Sequence, residues 1–143
     1  MKTVKQVLDA KGYQLHSVTE DLSVYDALQK MANEEIGSLV VLRGDELAGM
    51  ITERDYARKV ILKGRDSRET PVSAIMTHNV VCVTSQARVD ACMSLMTDKR
   101  LRHLVVRDTS RLTGVISIGD IVKAIIDDQQ FTIEQLEHYI HGG

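Results

Sequence analysis

Tryptophan is absent from the chain and phenylalanine occurs once, so that aromatic residues make up only 3% of its 143 residues. An interior built mainly on packed rings is therefore excluded. Hydrophobic residues still make up 43% of the sequence, which is ordinary for a globular domain. The sequence predicts an aliphatic core of valine, isoleucine, leucine and methionine, in a chain long enough to bury it without disulfides.

Cysteine is scarce as well. Cys82 and Cys92 lie in a predicted strand and in the helix after it, without CxxC spacing or nearby histidines. We expect both to be reduced packing residues, because a free thiol behaves as a small hydrophobic side chain. His138 and His141 lie one helical turn apart, but no cysteine or carboxylate is spaced to complete a metal site with them. No metal is expected.

The chain has neither a strong net charge nor a long apolar run. Its formal net charge of -2 gives no general attraction to nucleic acid or anionic lipid, since such binding needs clustered cations. No run approaches the ~20 apolar residues that span a bilayer, and the N-terminus lacks the apolar region of a signal peptide. We expect a cytoplasmic protein without a membrane partner.

Catalytic patterns are missing too. No nucleophile stands beside a base, and no glycine-rich phosphate loop of the GxxxxGK type occurs. The sequence therefore predicts a protein that is not an enzyme, without catalytic residues or a catalytic cofactor.

What the chain does contain is an internal repeat. Residues 18–61 align with residues 83–126 without a gap. The alignment places Leu39-Val40-Val41 on Leu104-Val105-Val106, Gly49 on Gly114, and Asp55 on Asp120. A duplicated unit rarely buries its apolar face alone, so we expect the two copies to pack pseudo-symmetrically against each other.

Each copy predicts the same order of elements. A strand, an amphipathic helix, two β-rich runs around a polar turn and a closing helix give β-α-β-β-α, an α+β fold, with closing helices at 54–62 and 120–126. We place the first repeat at 1–66, the second at 67–127 and an extra C-terminal helix within 128–143. Thr132 and Gln135 have capping-box spacing for the start of that separate helix.

A strand-to-helix junction near the end of each copy is the candidate functional motif. The first junction reads Gly49-Met50-Ile51-Thr52-x-x-Asp55, and the second reads Gly114-Val115-Ile116-Ser117-x-x-Asp120. A hydroxyl residue three positions before an acidic residue is the pattern of a helix capping box. A helix start also offers free N–H groups and a positive dipole to an anionic ligand. The pattern alone leaves both interpretations open.

The repeated junction, with its glycine-led apolar strand entering Thr52-x-x-Asp55 or Ser117-x-x-Asp120, resembles the CBS (cystathionine beta-synthase) domain over about residues 1–127. The resemblance implies a tandem pair, or Bateman module, of the standalone two-repeat type. It also implies two clefts between the repeats that bind adenine nucleotides such as AMP, ADP, ATP or NAD. Such modules commonly form homodimers and regulate a partner protein, which the sequence leaves unknown.

The chemistry of the junctions suits such a nucleotide. Asp55 and Asp120 each offer two acceptor oxygens, which can accept hydrogen bonds from both neighbouring hydroxyls of a ribose. The hydroxyls of Thr52 and Ser117 could donate to phosphate at the helix start.

The entrance to the preceding strand differs between the copies. Arg102 and His103 stand in the second copy, a placement that supplies phosphate-binding side chains in the resembled family, while Gly37 and Ser38 stand in the first. A solvated strand end is the alternative for Arg102 and His103. Any phosphate at the first junction would have to rely on Arg54 or on the other repeat. The basic stretch 54–68 could form a solvated helix face, recognise polyphosphate or dock an acidic partner. The predicted ligand-binding set is Gly37, Ser38, Thr52, Arg54, Asp55, Arg102, His103, Ile116, Ser117 and Asp120.

Another function is compatible with the same sequence. The junctions could be caps alone in a structural homodimerisation module that binds no nucleotide, with an unmatched apolar stripe at Ile133, Leu136 and Ile140. Binding of S-adenosylmethionine or of nucleic acid is a minor variant.

Overall fold

The computed structural model describes residues 1–141. Its helices and strands are α1 (Val4–Lys11), β1 (Ser17–Thr19), α2 (Val24–Glu34), β2 (Ser38–Arg43), β3 (Glu46–Thr52), α3 (Glu53–Tyr56), β4 (Cys82–Val83), α4 (Val89–Lys99), β5 (His103–Asp108), β6 (Arg111–Ser117) and α5 (Ile118–Ile140). A π-helical turn, Ala57–Ile61, continues α3, and a 3-10 turn spans Val72–Ala74. The predicted α+β fold and the β-α-β-β-α order of both copies are confirmed.

The two copies build matching three-stranded sheets. In each sheet the first strand runs parallel to the second, and the second pairs with the third as an antiparallel hairpin, which gives the orders β1-β2-β3 and β4-β5-β6. Each hairpin shifts register at the corresponding place, between Val41 and Leu42 in one and between Val106 and Arg107 in the other. The duplication therefore extends to a local irregularity of the backbone.

The chain forms two compact units, Leu15–Val80 and Met1–Gln14 together with the chain from Val81 onward. These units do not coincide with the segments 1–66 and 67–127. Residues 1–14 pack with the second repeat, and residues 67–80 pack with the first. In one unit Val4 N–H donates to Ala87 O (2.9 Å), and in the other Val72 N–H donates to Leu22 O (2.8 Å).

The core of each unit is aliphatic, as predicted. The buried cluster of the 15–80 unit is Val18, Val24, Ala27, Met31, Leu39, Val41, Ile51, Val60, Val72, Ile75 and Met76. The buried cluster of the other unit is Val4, Val7, Leu8, Val89, Cys92, Met96, Leu104, Val106, Ile116, Ile121 and Ala124. Both contain residues from the exchanged segments, so neither core is completed by its own repeat alone.

Two local expectations were wrong. The C-terminal segment is helical, as predicted, but the expected cap at Thr132 is absent, because the segment continues α5 without a break. The Thr132 hydroxyl instead donates to the carbonyl of Asp128 (3.0 Å). Both cysteines are free, but only Cys92 is buried. Cys82 points outward from the two-residue strand β4, where Val83 takes the inward position. None of the helices within residues 1–141 has the length and apolar character needed to cross a membrane.

Candidate ligand site at the strand-to-helix junctions

Thr52 ends β3 and is the N-cap residue of α3. Its hydroxyl accepts a hydrogen bond from Asp55 N–H (3.1 Å) and donates to Asp55 Oδ2 (3.1 Å), while its own N–H donates to the same carboxylate oxygen (3.0 Å). These reciprocal bonds make a capping box and satisfy two N–H groups of the helix start. The capping role of this junction is confirmed, and its ligand role stays a prediction.

The second oxygen of the buried Asp55 carboxylate is also engaged. Lys59 places Nζ at 3.1 Å from Asp55 Oδ1, and it donates to the carbonyl of Ile75 (2.9 Å). A buried carboxylate needs such partners, because an unpaired charge in the interior is costly. Both oxygens of Asp55 are thus occupied by the protein itself.

The second junction repeats the capping box in more open surroundings. Ser117 caps α5: its hydroxyl accepts from Asp120 N–H (3.1 Å), and its own N–H donates to Asp120 Oδ2 (2.8 Å). The side chain of Asp120 is 24% exposed, against 10% for that of Asp55. Asp120 is therefore the more accessible of the two carboxylates.

Lys11, at the end of α1, reaches this junction from far along the chain. Its Nζ lies 2.6 Å from Asp120 Oδ2 and donates to the carbonyl of Val115 (2.7 Å). The bonds from Lys11 and from Ser117 N–H both fall on Oδ2, and within residues 1–141 no hydrogen-bond partner lies on Oδ1. Asp120 keeps one acceptor oxygen available.

The strand entrance of the first copy lies directly beside its junction. Gly37 O accepts a hydrogen bond from Glu53 N–H (3.1 Å), and Ser38 pairs with Thr52 across β2 and β3. An added Cβ at Gly37 would have only the Glu53 carboxylate near it, at 3.8 Å. Gly37 and Ser38 thus border Thr52 without adding a cation.

The corresponding entrance of the second copy does bring a cation, Arg102, together with the imidazole of His103. Arg102 O accepts from Ile118 N–H (2.9 Å), and His103 pairs with Ser117 across β5 and β6. The structure therefore brings both predicted entrance residues next to the capped start of α5.

Two members of the predicted set stand apart. Arg54 is exposed, and within the described residues its side chain makes no ion pair or hydrogen bond. Ile116 is fully buried in the hydrophobic core, so only its backbone borders the junction. Over residues 1–141, no three His, Cys, Asp or Glu side chains are arranged to hold a metal ion.

A cavity of about 270 Å³ lies beside the second junction, between α1 and α5. Its charged and polar lining consists of Lys2, Gln6, Lys11, Asp120, Lys123 and Asp127. Lys2 pairs with Asp127 at 3.7 Å. With three lysines against two carboxylates, the cavity suits an anionic group next to Asp120.

Charge and burial shift two pKa values at this junction. Burial and, after it, the nearby Lys11 and Arg102 lower the pKa of His103, against the opposing effect of Asp120. Burial acts to raise the pKa of Asp120, but the hydrogen bonds from Lys11 and from Ser117 N–H outweigh it and hold this pKa below its ordinary value.

A family model for the CBS domain matches residues 4–62 and 72–127. The chain belongs to the CBS domain family. Both copies are matched, so the resemblance inferred from the two junctions is confirmed, and the chain is a tandem pair of CBS repeats.

The relatives of this CBS pair cover most of its length. The structure of a protein with CBS domains from Burkholderia ambifaria is 51% identical, covers 92% of this chain and 99% of its own, and superposes with a TM-score of 0.87. The CBS-domain containing protein ATU1752 from Agrobacterium tumefaciens is 39% identical over 86% of this chain and 98% of its own, with a TM-score of 0.81. The mitochondrial CBS domain-containing protein CBSX3 of Arabidopsis thaliana is 40% identical over 99% of this chain and 73% of its own length.

The depressed His103 pKa in the second CBS repeat predicts an acid-sensitive stability. Because the folded state resists protonation of His103, the unfolded state binds the proton first as the pH falls below about 6.5. Stability attributable to His103 is complete above that pH and is lost toward the lower folded-state pKa, at no more than about 1.4 kcal/mol per pH unit. Urea unfolding between about pH 8 and about pH 5 should show a shallower loss for His103→Gln than for the wild type. If the free energy of unfolding fell with pH equally steeply in both proteins, the stabilising role of neutral His103 would be contradicted. The lowered pKa of Asp120 affects stability only in more acidic solution, below about pH 3.8.

Sequence reasoning missed the two lysines of the CBS junctions. Lys59 lies four residues after Asp55, a helical spacing that could have indicated the pair. Lys11 has no such signal, because its partner Asp120 belongs to a distant part of the chain and meets it only through the docking of α1.

Proposed function

We propose that the CBS pair is a non-catalytic regulatory module that binds an adenosine-containing ligand, AMP, ADP, ATP or an NAD-type dinucleotide, and thereby modulates a partner protein. The observation that carries this proposal is the recurrence of one constellation at both junctions: a capping hydroxyl, a carboxylate three residues later, and a lysine on that carboxylate. A cytoplasmic location and a homodimer are part of the proposal. The regulated partner would respond to the difference in ligand affinity between two arrangements of the module.

The second junction is the stronger ligand site in this proposal. Asp120 keeps Oδ1 without a partner among the described residues, whereas Asp55 has both oxygens engaged and is more deeply buried. Arg102 and the lysine-lined cavity supply cationic groups near Asp120 for phosphate, and His103, whose lowered pKa favours the neutral imidazole, supplies a hydrogen-bond donor. At the first junction a ribose would have to displace Lys59, which costs binding energy. We therefore expect unequal affinities.

A structural homodimerisation module is the second candidate, favoured by one observation. Both carboxylates already have a complete structural role as partners in capping boxes, so that role alone accounts for the motif. On this alternative, nucleotides leave the stability of the protein unchanged.

Thermal unfolding of nucleotide-stripped protein tests the proposal. A ligand present at ~100 times its Kd should stabilise the protein by about 2.7 kcal/mol, which raises the Tm measurably. The titration uses AMP, ADP, ATP, NAD, NADH and S-adenosylmethionine, with Asp120→Asn, Asp55→Asn and the matched control Asp90→Asn. Asp90 is an exposed carboxylate of α4 outside both junctions.

We expect at least one adenine nucleotide to raise the Tm of the wild type and of Asp90→Asn. Asp120→Asn should weaken that ligand about tenfold or more, since a charge-assisted hydrogen bond contributes about 1.5–3 kcal/mol, and Asp55→Asn should weaken it less. Wild-type affinity in both junction variants would refute the site, and the absence of a shift with every ligand would favour the dimerisation module.

A further inference from the structure

The C-terminal half of α5 extends past the last buried residue of its unit. Ala124 is buried, whereas every residue from Gln129 to His141 is exposed. A helical segment of this length is only marginally stable in water without tertiary packing. Its apolar side chains therefore indicate a contact with something other than its own unit.

The exposed apolar residues of α5 form one seam with alternating spacings of four and three residues. The seam consists of Val122, Ile126, Gln129, Ile133, Leu136 and Ile140. All five apolar members are exposed, from 41% for Val122 to 71% for Ile140. An apolar repeat averaging 3.5 residues is the pattern of a left-handed coiled coil, with isoleucine at each a position (126, 133, 140) and Val122, Gln129 and Leu136 at d.

We propose that this seam pairs with the same seam of a second copy of the chain, as a two-stranded antiparallel coiled coil. In the antiparallel register that pairs a with d, Ile126 faces Leu136 of the second copy, and the same register places Ile133 opposite Gln129. It also places Ile140 opposite Val122, so all six seam residues have a counterpart. The six seam residues lie outside the candidate ligand site, although the flanking Lys123 also lines the cavity beside Asp120. The pairing does not depend on nucleotide binding.

Charge selects this orientation over the parallel one. In the antiparallel register the flanking residue Lys123 comes beside Glu137 of the second copy, twice by symmetry. Within residues 1–141 neither side chain has an ion-pair partner. In a parallel pair the residue beside Glu137 would be Thr132, which offers no cation. Opposite charges at flanking positions are the device that fixes partner orientation in coiled coils.

Disulfide trapping in the intact chain tests the pairing. The background carries Cys82→Ser, because Cys82 is exposed and Cys92 is buried. Ile126→Cys and Leu136→Cys are made separately and incubated alone or in an equimolar mixture in a glutathione redox buffer. The matched control mixes Ile126→Cys with Phe131→Cys, since Phe131 is an exposed residue of α5 outside the seam.

We expect a covalent dimer from the mixture of Ile126→Cys and Leu136→Cys, and none from either variant alone or from the control mixture. Adding Glu137→Lys to both partners should lower the dimer yield several-fold, and the further change Lys123→Glu should restore it. Crosslinking of Ile126→Cys with itself would show a parallel pair and overturn the proposed orientation. If the mixture of Ile126→Cys and Leu136→Cys yields no covalent dimer, the proposed pairing of the two seams is refuted, whatever the outcome of the nucleotide titration.

Discussion

Replacing Gly49 by alanine should destabilise the protein by about 3 kcal/mol. A Cβ at Gly49 would lie 2.6 Å from the carbonyl oxygen of Thr77 and 2.9 Å from Met76 Sδ. Neither distance is tolerable, and the nearer atom belongs to the backbone. That stretch of backbone is held in place, because Met50 and Thr77 exchange two hydrogen bonds of 3.0 and 2.8 Å. The new methyl group must therefore break this bridge or shift β3.

The duplication supplies a matched control for this prediction. Gly114 occupies the corresponding position of the second CBS repeat, but its added Cβ would meet Leu8 Cδ2 at 3.0 Å. The methyl end of Leu8 has to yield by only a few tenths of an ångström, so Gly114→Ala should cost about 1 kcal/mol or less. Urea unfolding of both variants measures the difference. Similar losses at the two positions would show that the contact with Thr77 is not what restricts Gly49.

Truncating Leu8 should destabilise the protein by about 3 kcal/mol. Leu8 is 1% exposed and lies in the core to which α1 contributes Val4, Val7 and Leu8. Leu8→Ala removes three carbons and leaves a cavity next to Gly114. Equilibrium unfolding in urea gives the free energy directly, and a loss below about 1 kcal/mol would mean that α1 is not firmly docked in this core.

A double-mutant cycle sharpens this second prediction. In the Leu8→Ala background, the methyl group of Gly114→Ala enters the vacated space, so the two losses should sum to about 1 kcal/mol more than the double variant shows. The equivalent pair in the other repeat is Met76→Ala with Gly49→Ala. There the Thr77 carbonyl still obstructs the methyl group, and truncating Met76 should rescue little. Additive losses at Leu8 and Gly114 would refute the contact.

The sequence predicted those parts of the structure that depend on local patterns. Hydrophobic periodicity located the strands and helices of both repeats, because each element buries one face. Thr52-x-x-Asp55 and Ser117-x-x-Asp120 identified the capped helix starts, because capping is an interaction over three residues. Because the two copies align without a gap, each element and each junction identified in one copy predicted its counterpart in the other.

The expectations that failed depend on tertiary packing or on weak local signals. Thr132 has capping spacing, yet a helix already running from Ile118 continues through it, since propagating a helix is easier than starting a new one. Cys82 faces outward in a strand of two residues, too short for a pattern to predict its orientation. The pairing of Lys11 with Asp120 follows from docking of α1 on the second repeat, which no local spacing encodes.

The exchange of leading segments between the repeats makes one unit continuous in sequence and the other discontinuous. Residues 15–80 can complete their core from a single stretch of chain, in which Leu22 and Val72 meet across a loop of 50 residues. The unit that contains α1 must bring Leu8 to Gly114 across most of the chain, and closing that longer loop costs more conformational entropy. As contacts distant in sequence slow folding, the continuous unit should become protected from amide hydrogen exchange first during refolding, and α1 should gain protection only together with β6.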